Sequence, residues 1–180
     1  MTQNLDQWAT WCEIHSQPAI WRAWGAQLDV AGLRAWVAAQ SFDEVWFCGA
    51  GTSAYIGDII AAAVKCTRSV PTTDIVANPS HFLSGAKPLV VNFGRSGNST
   101  ESIGTLDALD AVAPHAPRIN ITCKEEGALA TRKSGAPTQV IVLPDATHDA
   151  GFAMTSSFST MLLTALALFD APCDLPNRMT

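Results

Sequence analysis

Two short loops constrain the fold more than any other part of the 180-residue chain. Gly49-Ala50-Gly51-Thr52-Ser53 follows the apolar run Val45-Trp46-Phe47-Cys48, and Gly94-Arg95-Ser96-Gly97-Asn98-Ser99 follows Leu89-Val90-Val91-Asn92-Phe93. Each loop leads into a segment of helical character. A strand that turns through glycines into a helix leaves unpaired backbone N–H groups at the positive end of the helix macrodipole. Such a corner is an anion site, and here Ser and Thr hydroxyls are added to it. Two of these corners on one parallel sheet are able to grip a phosphate together.

From residue 44 onward the pattern alternates strand and helix, with strands expected at 44–48, 73–77, 88–93, 118–122 and 138–143 and helices at 53–66, 99–112, 126–133 and 152–169. Short apolar strands separated by helices imply a parallel sheet covered on both faces. The expected class is α/β: a doubly wound five-stranded parallel sheet of order 2-1-3-4-5, flavodoxin-like, with ligands at the carboxyl ends beside the switch point. In that order strands one and three flank the switch point, and they carry the two loops. The apolar 151–169 stretch contains Thr155, Ser156, Ser157, Ser159 and Thr164, so it reads as a buried helix and not as a membrane span.

Residues 1–40 read as an N-terminal helical extension, 41–170 as the ligand-binding domain and 171–180 as a linker or tail. Apolar residues recur three or four apart through the extension. Gln17-Pro18 is expected to interrupt it, because proline restricts its predecessor and suits a first helical turn. Trp8, Trp11, Trp21 and Trp24 precede the first strand. Two readings fit this aromatic load: helices packed on the sheet, or a contact with another domain or subunit.

The formal net charge of −5 and the pI near 5.2 argue against a nucleic-acid or anionic-membrane surface, so neither partner is expected. An anionic ligand must then be held by local dipoles and hydroxyls. Five scattered cysteines with no C-x-x-C pair fit reduced, mostly buried thiols, and the chain opens without a basic-then-apolar leader. Both features point to the cytoplasm. No His, Cys, Asp and Glu set has metal-ligand spacing, and neither a metal nor another cofactor is expected.

The first loop also matches G-x-G-x-x-A, a dinucleotide-binding pattern. That reading wants an acidic residue at the end of the second strand, and Asp74 falls near the start of 73–77. In Ser96-Gly97-Asn98-Ser99, Gly97 permits close approach of the backbone to a ligand. Asn98 or Ser99 can cap the helix, with Glu101 placed as in a capping box. Capping alone would explain these residues; their pairing with Thr52 and Ser53 favours a ligand.

Cys48-Gly49-Ala50-Gly51-Thr52-Ser53 followed by Arg95-Ser96-Gly97-Asn98-Ser99-Thr100-Glu101-Ser102 resembles the sugar isomerase (SIS) domain. Glu13-Ile14-His15-Ser16-Gln17-Pro18 is similar to the segment before that domain in glucosamine-6-phosphate synthase. Ser53 to Asp58, Thr73 to Pro79, Glu126 to Ala130 and Thr147-His148-Asp149 with Phe152 to Phe158 resemble the branch of tagatose-6-phosphate ketose/aldose isomerases and amino-sugar-phosphate deaminases. The resemblance covers nearly the whole chain.

It implies a hexose 6-phosphate or amino-hexose 6-phosphate held by Ser96 and Ser99 with the Gly97 and Asn98 amides. Gly51, Thr52 and Ser53 would lie near the sugar, and Thr155 and Ser156 would open the last helix over it. Gly94 stands where the synthase relatives have a serine, Arg95 where they have glutamine, and Ala150 where the branch has arginine. Members of the branch carry two SIS domains, and this chain holds the features of the first. The glutamate, histidine and lysine that move protons in the synthase lie in the second half. A homodimer or a second SIS domain is therefore the expected partner. Isomerisation and deamination both need a general base and a donor for the oxygen. His148 with Asp149 are the catalytic candidates, beside His81 and Glu101. A sugar-phosphate sensor and a non-catalytic assembly domain are the alternatives; the extension, poor in Lys and Arg, lacks the look of a DNA-binding region.

Overall fold

The computed structural model describes residues 5–170, so the tail expected at 171–180 lies outside the described residues. Its centre is a parallel sheet of five strands, β1 (Glu44–Gly49), β2 (Thr67–Ser69), β3 (Pro88–Gly94), β4 (Arg118–Thr122) and β5 (Thr138–Val142), in the order β2-β1-β3-β4-β5. Pairing of Cys48 with Asn92 and of Gly49 with Phe93 brings the ends of β1 and β3 side by side, so the two glycine corners are neighbours.

β1 and β3 are apolar almost throughout because both of their faces are covered, whereas β4, equally buried, alternates Ile119 and Ile121 with the polar Arg118, Asn120 and Thr122. On one face Phe47, Val91, Phe93, Ile119 and Ile121 pack with Ile56 and Ile60 of α3 (Thr52–Ala63) and with Met161, Ala165 and Leu168 of α8 (Ser156–Phe169). On the other, Trp46, Cys48 and Val90 pack with Ile75 of α4 (Thr72–Ala77), Leu83 of α5 (Pro79–Leu83) and Leu109 of α6 (Thr100–Val112). Each fully buried Ile, Leu or Phe contributes roughly 1.5–3 kcal/mol. Toward β4 the second face turns polar. Asn92 Nδ2 donates to Asn120 Oδ1 (2.8 Å), and Asn120 Nδ2 donates to the Leu129 carbonyl (2.9 Å) in the short α7 (Ala128–Thr131).

The second strand is a correction. Residues 73–77 form α4, and the strand is the earlier Thr67–Ser69. Asp74 consequently lies on a helix, and the dinucleotide reading loses its last support. Thr73-Asp74-Ile75-Val76 looks strand-like by composition, yet only Ile75 is buried there. The true strand is a three-residue edge, Thr67-Arg68-Ser69, with no apolar side chain to announce it.

The extension also departs from expectation at Pro18. Helix α1 (Ala9–Gln27) runs through that residue, and α2 (Val30–Ala38) follows. Pro18 cannot donate to the Ile14 carbonyl, but both residues are exposed, where water satisfies the freed group. The inner stripe of α1 lies on α8. Trp21 and Trp24 donate their indole N–H groups to Ser159 (3.1 Å) and Thr164 (2.8 Å), and Ser159 Oγ donates to Gln17 Oε1 (2.7 Å). Trp8 and Trp11 face solvent. The aromatic load thus divides, two tryptophans against the domain and two outward. The thiols divide similarly: Cys48 and Cys123 are buried, while Cys12 and Cys66 are exposed.

Candidate functional site

The corner after β3 is built by a glycine that nothing else can replace. Gly97 has φ +65°, and a Cβ there would meet Thr122 Oγ1 at 3.0 Å and Leu129 Cβ at 3.2 Å. Ser99 caps α6, its Oγ accepting from the Ser102 amide (3.2 Å) and lying 2.9 Å from Ser102 Oγ. Asn98 caps nothing on α6. Its Oδ1 accepts from the Ala128 amide (2.7 Å), tying the loop to α7, while the Leu129 amide donates to the Gly97 carbonyl (3.1 Å). The capping box with Glu101 is therefore absent. The 126–130 segment instead braces the loop from outside, so closely that a Cβ on Gly127 would sit 2.4 Å from the Ser96 carbonyl.

The corner after β1 turns at Gly51, with φ +54°, into α3. Between the two corners lies a cavity of about 160 Å³, lined by Ala50 and Ser53 from the first, by Arg95, Ser96, Gly97 and Ser99 from the second, by Ser102 of α6 and the end of β3, and by Met154 from the loop before α8. Ser53, Arg95, Ser96, Gly97 and Ser99 are thus brought together as the sequence predicts. The first turns of α3 and α6 both open at this place, beside the reversal of strand order. Gly51, Thr52 and Asn98 flank the cavity without lining it.

A family model matches residues 41–171, and its description is "SIS domain". The chain belongs to the SIS domain family. It is 41% identical over 179 aligned positions to the D-galactosamine-6-phosphate deaminase AgaS of Escherichia coli, a match that takes in 89% of this chain and 45% of the relative. Among solved structures it is similar to tagatose-6-phosphate ketose/aldose isomerase from Escherichia coli (38% identity, TM-score 0.80, 89% of this chain and 46% of that one). It is also similar to glucosamine-6-phosphate deaminase from Thermotoga maritima (25% identity, TM-score 0.67, 95% and 51%). The chain spans about half the length, or less, of the curated relatives it matches.

In this SIS domain the two catalytic candidates of the sequence part company. Asp149 is buried at the start of α8, where its carboxylate accepts from the amides of Thr155 (3.0 Å), Ser156 (2.8 Å) and Ser157 (3.0 Å), from Thr155 Oγ1 (2.8 Å) and from Ser157 Oγ. Burial works to raise its pKa; the Ser157 hydroxyl and amide, with Thr155 and Ser156, outweigh burial and hold it below the usual carboxylate value. Such a group caps a helix and stays ionised. His148 is exposed and lines a separate polar pocket with Cys123, Lys124, Glu125, Glu126 and Asp145. Burial pushes the Cys123 thiol up to about 11, so it is no nucleophile.

Thr155 and Ser156 spend their hydroxyls away from the cavity, Thr155 on Asp149 and Ser156 on the Glu13 carbonyl (3.2 Å). His81 is exposed on α5, and Glu101 is half-buried in the first turn of α6; neither lines the cavity. Two contacts escape a reading of the sequence, although both residues lie in segments that carry the resemblance. Met154 lines the cavity, and Glu13 reaches the site's outer loop from 137 residues away, its Oε1 accepting from the Ala150 amide (2.7 Å). No group of three or more His, Cys, Asp or Glu able to hold a metal ion occurs among the described residues. None of their helices is long and apolar enough to cross a membrane.

Proposed function

We propose that this chain is the phosphosugar-binding half of an aldose–ketose isomerase or amino-sugar-phosphate deaminase acting on a hexose 6-phosphate. The observation that carries the reading is the cavity itself, where the starts of α3 and α6 converge with the hydroxyls of four serines (Ser53, Ser96, Ser99 and Ser102) and one guanidinium. The phosphate takes hydrogen bonds from Ser96 and Ser99 and from the Gly97 and Asn98 amides. Arg95 adds the full positive charge that an acidic protein does not otherwise supply. Thr52 and Ser53 meet the sugar carbons next to the ester.

No carboxylate or imidazole lines the cavity. Proton transfer between adjacent sugar carbons therefore draws on a base from beyond it: a second SIS unit, in the same polypeptide or in another copy, with His148 as this chain's own candidate. Asp149 is a positioning group in this scheme, because its lone pairs are engaged by five donors. Trp8, Ile14, Tyr55 and Phe152 are exposed apolar side chains that a second unit would cover. Helices α1 and α2 serve as a strut to the SIS domain, and the compartment is the cytoplasm, consistent with four unpaired thiols among the described residues.

The test is calorimetric titration with galactosamine 6-phosphate, tagatose 6-phosphate and glucosamine 6-phosphate. Ser96→Ala is expected to weaken each by roughly tenfold, the loss of one charge-assisted hydrogen bond. Equal affinity for the unphosphorylated sugars would overturn the assignment. Assays for ketose formation and ammonia release, run with and without a second SIS unit, separate isomerase from deaminase.

A further inference from the structure

The peptide group between Asp149 and Ala150 is held at both ends by charged side chains from distant parts of the sequence. Its carbonyl oxygen accepts from Arg95 Nη1 (3.2 Å), and its N–H donates to Glu13 Oε1 (2.7 Å). The same Oε1 accepts from the next amide, Gly151 (2.8 Å). We propose that Glu13 is a positioning residue of the phosphate site, setting Arg95 through this single peptide group. The proposal rests on reading the cavity as a phosphate site.

Three observations carry it. First, the Glu13 carboxylate is committed to this turn alone, since Oε1 serves only residues 150–151 and Oε2 is buried without a partner. Docking of α1 on α8 is provided separately by Gln17, Trp21 and Trp24. Second, the fit is close. A Cβ on Gly151 would meet Thr10 Oγ1 at 2.6 Å and Glu13 Oε2 at 2.8 Å, so a larger residue would push the Thr10 and Glu13 side chains out of their places against the turn. Third, a carboxylate on the N–H side of a peptide polarises its carbonyl and strengthens what that carbonyl accepts. The Arg95 side chain makes no other hydrogen bond among the described residues, while its backbone is fixed by Cys123 and Thr122. Its guanidinium therefore takes its direction from the Asp149 carbonyl.

The experiment compares Glu13→Ala with Gln17→Ala, two deletions on one stripe of α1, of which only the first touches the turn. Glu13→Ala is expected to weaken galactosamine 6-phosphate binding about tenfold. Gln17→Ala, with a comparable loss of Tm, stays within about twofold of the wild type. Glu13→Gln, which keeps an accepting oxygen, restores most of the affinity, and in an Arg95→Ala background Glu13→Ala has no further effect. A ligand-free arm follows amide hydrogen exchange, where Glu13→Ala is expected to speed exchange of residues 93–99 as well as 148–155. Acceleration confined to 148–155, or equal binding losses in the two deletions, would overturn the proposal. A wild type that binds no sugar phosphate would sink the phosphate reading alone, because the exchange arm still decides what Glu13 does. If Glu13→Ala fails to fold, Glu13→Asp, too short to reach Ala150, takes its place.

Discussion

Two carboxylates at opposite ends of the sheet are kept ionised by different means. At the amino ends of the strands, Asp110 lies 2.6 Å from Nη1 of Arg118, a guanidinium only 1% exposed, and 3.1 Å from Nη2 of Arg132. At the carboxyl ends, Asp149 is surrounded by amides and hydroxyls without a direct ion pair. Both have pKa values below the ordinary carboxylate range despite burial, the first chiefly through Arg118, the second through neutral dipoles. The difference concerns what each end leaves over. Pairing Asp110 consumes Arg118, whereas capping with Asp149 costs no cation. Arg95 passes the Asp149 carboxylate by and bonds only its backbone oxygen, so the positive charge stays available to the cavity.

Substitutions can break this contrast. The largest effect is expected for Asp110→Ala, which strands the buried Arg118 charge and costs about 3–5 kcal/mol of stability, read by denaturant unfolding. Asp149→Asn keeps the shape but offers one acceptor to a cluster of donors, at a cost of about 2–3 kcal/mol. The same variant changes the response to acid. A carboxyl with a lowered native pKa contributes fully above its unfolded value near 4, and the contribution fades as pH falls through the native value. Acid unfolding below about pH 4 should therefore be shallower in Asp149→Asn than in the wild type. Ser99→Ala removes the cap of α6 for about 1 kcal/mol and weakens phosphate binding as well, a double effect that Asp110→Ala should lack. Arg132→Ala breaks only the partly exposed pairs with Asp107 and Asp110 and should cost less than about 1 kcal/mol.

What could be seen in the sequence follows from the range of the forces involved. β1 and β3 are legible because burial on both faces demands apolar runs, β4 because Ile119 and Ile121 recur between polar residues, and the corners after β1 and β3 because glycines and hydroxyls mark them. β2 is hidden since a three-residue edge strand needs no apolar signature. In the site, Ser53, Arg95, Ser96, Gly97 and Ser99 converge because the strand order puts their corners side by side. Asp149 beside His148 suggests a proton-transfer pair, yet the two side chains occupy different surroundings, one buried at a helix start and the other in an open pocket. Glu13 stands in a segment whose likeness to the synthase marks it, but its role stays hidden because its partners Ala150 and Gly151 donate backbone groups that any residue type but proline would offer.

The stripe Glu13, Gln17, Trp21 and Trp24 along α1 has a practical corollary for anyone trimming this protein. The family match begins at residue 41, but a fragment cut there would bare the flank of α8 and set loose the turn that steers Arg95. A piece that keeps these contacts starts two helices earlier than similarity of sequence alone would place it, ahead of α1.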